Sequence, residues 1–169
     1  MTLNQVLEVF ASARPPAVCV DSRAVRPGDV FVAVKGANQD GHLYIAQAAA
    51  RGAAYVVCQE RPASIQRGLE VVVVPDSAKA AAVLAQASCG NPASKLVNLA
   101  VTGTNGKTTV TYLVRSCLAQ AGLRCGLLGT VTYDTGARAV AADLTTPDSL
   151  AMARLQKEMV EAGCTHMVM

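Results

Sequence analysis

With 169 residues, 51% of them hydrophobic, the chain has material for one good-sized domain or two small ones. Its net charge is only +3, the basic residues are scattered and aromatics make up 4%, which excludes the basic stripe or aromatic platform of a nucleic-acid binder. No apolar stretch approaches the roughly 18 residues that span a bilayer, and the N-terminus lacks the charged and apolar regions of a signal peptide, so no membrane partner is expected.

In chain order, Val6 to Ala13 reads as an opening helix stopped by Pro15-Pro16, and Ala17 to Val20 as a short strand ending at Asp21-Ser22-Arg23. Arg26-Pro27-Gly28-Asp29 is a turn, and Val30 to Val34 a second strand. A glycine-punctuated loop runs from Gly36 to Gly41. Leu43 to Arg51 then reads as a helix closed by Gly52. Tyr55 to Cys58 and Val71 to Val74 are buried strands, and Ser77 caps an alanine-rich helix ending near Gly90. Asn91-Pro92-Ala93-Ser94 breaks that helix and is the expected linker, dividing the chain into residues 1–93 and 94–169.

Leu96 to Val101 is an apolar run that reads as a buried strand. After it come Thr102-Gly103-Thr104-Asn105-Gly106-Lys107-Thr108-Thr109 and a segment with Val110, Leu113, Val114, Cys117, Leu118 and Ala121 at helical spacing. Strand, glycine-bearing loop, Lys-Thr and helix is the layout of a phosphate-binding loop. Its amides and the helix dipole would face a polyphosphate, Lys107 would meet the β- and γ-phosphates, and the Thr108 hydroxyl would be a ligand for Mg²⁺. The general pattern wants a glycine where Val101 stands, so the loop is a compressed variant. Farther on, Cys125 to Leu128 is a strand and Gly129-Thr130 a turn. Thr146 caps a helix with Pro147 as its first residue, running to about Ala162, and Cys164 to Met169 is a last strand. Met152, Leu155 and Met159 form a core stripe of that helix.

The six cysteines include no close pair and read as small buried hydrophobes in a reducing cytosol. His42 and His166 are too isolated to build a metal site with them, and His42 reads as a loop hydrogen-bonding residue. Ser22 could equally end its strand as a turn residue, and Asp148 reads as a first-turn charge favouring the helix dipole. The fold class expected is α/β: one small α/β domain, then the first part of a mononucleotide-binding parallel-sheet domain. The second unit offers about three strands, fewer than such a sheet needs, so the chain is expected to be part of a longer protein.

Four stretches resemble the Mur ligases of peptidoglycan synthesis: the loop at 102–109; Asp21-Ser22-Arg23 followed by Pro27-Gly28-Asp29-Val30-Phe31-Val32-Ala33; Asp40-Gly41-His42 with Ala48 and Gly52-Ala53; and Leu128-Gly129-Thr130 followed by Thr145-Thr146-Pro147-Asp148. The resemblance runs from Asp21 to Met169. It is closest to the branch that adds the third amino acid to UDP-N-acetylmuramoyl-L-alanyl-D-glutamate. It implies a UDP-substrate-binding first domain, the start of a central ATP-binding domain, and a C-terminal domain outside this chain. Residue by residue, it implies uridine-nucleotide contacts from Val20, Ser22, Ala37, Asn38 and Gln39, and sugar-peptide contacts from Thr145 and Thr146. Gly103, Thr104, Asn105, Gly106, Lys107, Thr108 and Thr109 would bind ATP, with Lys107 catalytic and Thr108 on Mg²⁺. Some relatives carry His-Gln in place of Ala37-Asn38, and some carry Asn in place of Leu144. The implied partners are UDP-N-acetylmuramoyl-dipeptide and a free amino acid, meso-diaminopimelate or L-lysine, on a cytoplasmic monomer that is inactive as residues 1–169 alone. Three alternatives stand beside this one: the related D-Ala-D-Ala-adding branch, a non-catalytic UDP-muramyl-peptide binding module, and an unrelated P-loop NTPase.

Overall fold

Strands buried on both faces carry near-continuous runs of valine and other aliphatics, and such runs organise the first half of the chain. The computed structural model describes residues 2–12, 15–36 and 39–169. The chain folds as two compact units, Met1–Ser88 and Cys89–Met169.

In the first unit β1 (Val18–Cys19), β2 (Val30–Val32), β3 (Tyr55–Cys58) and β4 (Glu70–Val73) form a fully parallel sheet in chain order. Alternate residues face opposite sides, so each strand feeds two cores. Val30, Val32, Val57 and Val72 pack under Ala80, Ala81 and Leu84 of α3 (Ser77–Ser88) and Val6 of α1 (Leu3–Val9). Phe31, Val56, Cys58 and Val71 pack on the other face against Ile45 and Ala48 of α2 (Ile45–Ala50). The buried Asp29 carboxylate closes the turn before β2 by accepting the N–H groups of Ala17 (3.1 Å) and Arg26 (2.8 Å).

Several boundaries shift from the sequence reading. Helix α1 starts earlier because Thr2 and Gln5 form a reciprocal capping box. The segment expected as one helix from Leu43 opens instead as a 3-10 turn, Gly41–Tyr44, and only then becomes α2. The cap of α3 comes from Asp76, whose Oδ1 accepts the Lys79 N–H (2.9 Å). Ser77 is the first helical residue and its hydroxyl donates to Gln59 Oε1 (3.0 Å).

The second unit holds a five-stranded sheet in the order β5-β9-β6-β7-β8, built from β5 (Val97–Leu99), β6 (Cys125–Leu128), β7 (Thr132–Asp134), β8 (Ala139–Ala141) and β9 (His166–Val168). The first three in that order are parallel, and β7 and β8 add an antiparallel hairpin that the sequence reading missed. Its strands have three residues each, and β8 is exposed along its whole length, so it shows no buried alternation.

Helix α5 (Ser149–Glu161) buries Leu155 and Met159 against Leu128, Tyr133 and Met167, as the expected stripe requires, with Met152 partly buried beside them. Its N-cap is Asp148, not Thr146: the Asp148 carboxylate accepts the Ala151 N–H (2.8 Å) and Pro147 stays outside the helix. Helix α4 (Lys107–Gln120) is rotated from the expected face. Thr111, Val114 and Leu118 pack inward, whereas Leu113 is 59% exposed and Val110 42%. A threonine fits the buried stripe because its hydroxyl donates to Thr108 O (2.8 Å). Four cysteines are buried and Cys117 is exposed. Burial pushes the Cys58, Cys125 and Cys164 thiols up, so none of those three is a poised nucleophile.

Gly41 marks a close backbone approach. A Cβ there would lie 2.7 Å from Val34 N, 2.8 Å from Val34 O and 2.9 Å from Ala33 C, all main-chain atoms that cannot swing aside. Gly41→Ala is expected to lower unfolding free energy by about 1–3 kcal/mol. Gly129→Ala, where a Cβ meets open space, should stay within about 0.5 kcal/mol of the parent. Urea unfolding of both variants checks the contrast, and equal losses would refute the close-approach argument.

Candidate functional site

The carboxyl ends of parallel strands are where α/β sheets present loops to ligands, and each unit has a concavity there. In the first unit the chain leaves β1 through Val20 and Asp21 into a 3-10 turn, Ser22–Ala24. Asp21 caps that turn by accepting the Arg23 N–H (2.9 Å), and Arg23 Nε folds back on the same carboxylate (3.0 Å). The guanidinium holds the Asp21 carboxyl down to about 2, so it stays charged across the physiological range. Ser22 is buried, and its hydroxyl donates to Gln47 Oε1 on α2 (2.6 Å). Val20, Ser22 and Gln39 line one space of about 370 Å³, together with Arg23, Tyr44 and Gln47.

Three of the residues expected for the uridine nucleotide are thus gathered. Ala37 and Asn38 lie outside the described residues. Arg23, Tyr44 and Gln47 were missed by sequence reasoning. The signal for two of them was their position: Tyr44 and Gln47 sit three apart at the start of α2, on the stretch that follows Asp40-Gly41-His42.

His42 fastens this loop, as expected of it. Its Nδ1 meets Asp40 Oδ1 (2.6 Å), and its Nε2 accepts the N–H groups of Gln59 (2.9 Å) and Glu60 (3.3 Å). Two donors on Nε2 assign the ring proton to Nδ1. The His42 backbone N–H, which donates to Asp40 Oδ1 (3.0 Å), and then the ring Nδ1–H hold the Asp40 carboxyl below its usual range.

In the second unit the phosphate-loop segment spans β5 and α4. Val101 stands where the general pattern has glycine because it still belongs to the ladder: its N–H donates to Met169 O (2.7 Å). The curl comes later, at Gly103 and at Gly106, whose φ of +79° places it in the left-handed region as the N-cap of α4. Among the described residues no side chain caps α4, so its first-turn N–H groups face the loop opening. Lys107 Nζ donates to Gly103 O (2.7 Å) and Thr104 O (3.4 Å), and the Thr108 and Thr130 hydroxyls lie 2.9 Å apart.

Thr145 and Thr146, expected to touch the sugar-peptide, line the same space of about 320 Å³ as Lys107, Thr108 and Thr130. They are therefore in the second unit with the loop, whereas Val20 and Ser22 belong to the first. Tyr133 on β7 sets them in place. Its hydroxyl accepts the Leu144 N–H (3.0 Å) and donates to Leu144 O, so one phenol clamps both backbone groups of the preceding residue. Tyr133 was not singled out from the sequence, because its partner is 11 residues away and across a missed hairpin.

Comparison with known proteins bears on both units. Residues 17–95 match the Mur ligase family catalytic domain and residues 101–169 the Mur ligase middle domain. The UDP-N-acetylmuramoyl-L-alanyl-D-glutamate--2,6-diaminopimelate ligase of Geobacillus thermodenitrificans is 46% identical over 150 residues, which are 89% of this chain and 30% of that protein. The chain thus spans about a third of the length of such relatives. Among solved structures, a UDP-N-acetylmuramoyl-L-alanyl-D-glutamate--2,6-diaminopimelate ligase superposes with a TM-score of 0.68 at 21% identity, over 99% of this chain and 35% of its own. The MurF ligase of Thermotoga maritima, solved with ADP, superposes at 0.55 with 27% identity, over 90% and 31%. With both units matched and the α/β architecture shared, the chain belongs to the Mur ligase family.

Proposed function

We propose that this chain carries the UDP-substrate face and the phosphate loop of an ATP-dependent amide ligase. The ligase joins 2,6-diaminopimelate to UDP-N-acetylmuramoyl-L-alanyl-D-glutamate. The observation that carries this reading is that Lys107 and Thr108 share one concavity with Thr145 and Thr146. Nucleotide-type and acceptor-type residues face each other there within a single unit. Curated relatives 37–46% identical to this chain are named UDP-N-acetylmuramoyl-L-alanyl-D-glutamate--2,6-diaminopimelate ligases, which favours diaminopimelate as the group added.

In this reading the D-Glu γ-carboxylate attacks the γ-phosphorus of ATP, the bond to the bridging oxygen breaks, and ADP leaves behind an acyl phosphate. The amine of the incoming amino acid then attacks the acyl carbon, and phosphate departs as the amide forms. The difficulty is electrostatic, since two anions must come within bonding distance. Lys107 and the uncapped N–H groups of α4 offset that repulsion at the phosphates. Thr145 and Thr146 hold the acceptor opposite. The Val20, Ser22 and Gln39 face anchors the remote nucleotide, whose binding energy serves to align the carboxylate.

The residues present fit Mg²⁺ as cofactor through the Thr108 hydroxyl, which opens into the same space as the Lys107 ammonium and would serve as its protein ligand beside the phosphates. When bound, Mg²⁺ would neutralise phosphate charge. No helix among the described residues is long and apolar enough to cross a membrane. The reading places the chemistry in the cytoplasm, where ATP and the nucleotide-linked precursor are available, on a monomer.

Calorimetric titration of the chain with ADP and, separately, with UDP-N-acetylmuramoyl-L-alanyl-D-glutamate tests the assignment. Lys107→Ala should weaken ADP by about 10- to 100-fold, the worth of one or two hydrogen bonds to a charged group, and leave the UDP ligand nearly unchanged. Ser22→Ala should do the reverse, weakening the UDP ligand by about tenfold. Loss of both ligands in either variant would point to misfolding, and failure of the parent chain to bind either one would end the proposal.

A further inference from the structure

The geometry at the end of β6 points to Thr130 as a positioning residue for the divalent cation, a role that rests on the phosphate-loop reading above. Its hydroxyl lies 2.9 Å from that of Thr108. Thr108 is the second residue of α4, one turn before the buried Thr111, which anchors to Thr108 O. Thr130 follows Leu127 and Leu128, which are fully buried, and the turn after it is closed by the Gly129 N–H donating to Thr132 O (3.1 Å). Both hydroxyls are therefore carried on rigid backbone and open into the same space as Lys107.

The chemistry gives the pair a direction. A threonine hydroxyl that offers a lone pair to a cation must send its proton elsewhere. If the proton finds no acceptor, the hydroxyl rotates and the lone pair turns away. Thr130 Oγ1 is an acceptor within hydrogen-bond reach of Thr108 Oγ1. With the cation on Thr108, Thr130 Oγ1 accepts the hydrogen bond from the Thr108 hydroxyl and leaves the Thr108 oxygen aimed into the concavity. Groups that orient a metal ligand in this way typically contribute about 10- to 100-fold in metal affinity. Thr130 touches neither phosphate nor acceptor in this account, so it acts through Thr108 alone.

The test is binding of a fluorescent ADP analogue to the full chain, titrated with Mg²⁺ and repeated in EDTA. Thr130→Val, which keeps the shape and removes the hydroxyl, should raise the Mg²⁺ concentration needed for half-maximal tightening by about 10- to 100-fold. ADP binding in EDTA should be unchanged. Thr130→Ser should restore the parent Mg²⁺ dependence, and Thr130→Ala should repeat the valine result without the added methyl group. Three outcomes overturn the proposal and leave the phosphate loop standing: parent-like Mg²⁺ dependence in Thr130→Val, weakened ADP binding in EDTA as well, or a parent chain that binds ADP with no response to Mg²⁺. A parent chain that binds no ADP under either condition overturns the loop reading, and this proposal falls with it.

Discussion

The loops at both candidate sites leave parallel strands: burial on two faces sets the register of β2, β3, β6 and β9, whereas β5, which leads into the phosphate loop, is mostly exposed and takes its register from pairing with β9. A one-residue slip of β2 would exchange Val30 and Val32 with Phe31 and Ala33 between cores of different shape. The same constraint holds β6 and β9 side by side, where Leu127 pairs with Val168. Fixed register means that the loops leaving the carboxyl ends start from fixed points. Functional side chains on short loops inherit that precision, which is why Ser22 and Gln47, 25 residues apart, can meet at 2.6 Å.

The sequence displayed those strands plainly where they are continuous apolar runs. Tyr55–Cys58 and Cys125–Leu128 have the boundaries expected of them. It displayed β7 and β8 poorly, because Ala139–Ala141 is exposed and carries no signal of burial. Helix starts were legible only to within a residue or two. Asp76 and Ser77 are both capping residues, as are Thr146 and Asp148, and the choice between them depends on the angle at which the chain enters the helix. The rotated face of α4 has a similar cause. A buried threonine that bonds its own helix backbone competes on equal terms with the leucine and valine expected inside.

The candidate sites divide along the same line. Lys107, Thr108 and the glycines of the loop could be picked out from a contiguous motif with a physical rationale. Val20, Ser22, Gln39, Thr145 and Thr146 were picked out by resemblance, and the structure gathers them into two concavities in separate units. Gln47 and Tyr133 escaped notice, and Thr130 was read only as a turn residue of a family stretch, because each acquires its meaning from a partner on another element. Relations of that kind depend on tertiary geometry, which no local spacing encodes.

One carboxylate ties the second concavity together. Asp134 Oδ2 pairs with Arg115 of α4 at 2.5 Å, and its Oδ1 accepts the Gly136 N–H at 2.8 Å, so the helix that begins at the phosphate loop is bound to the hairpin that carries Tyr133. Tyr133 in turn grips Leu144 beside Thr145. The two rims of the space are thus linked mechanically through a half-buried ion pair as well as through the sheet. Loss of either partner of that pair would leave the helix that carries Thr108 and the hairpin that steadies Thr145 joined through the sheet and its packing alone.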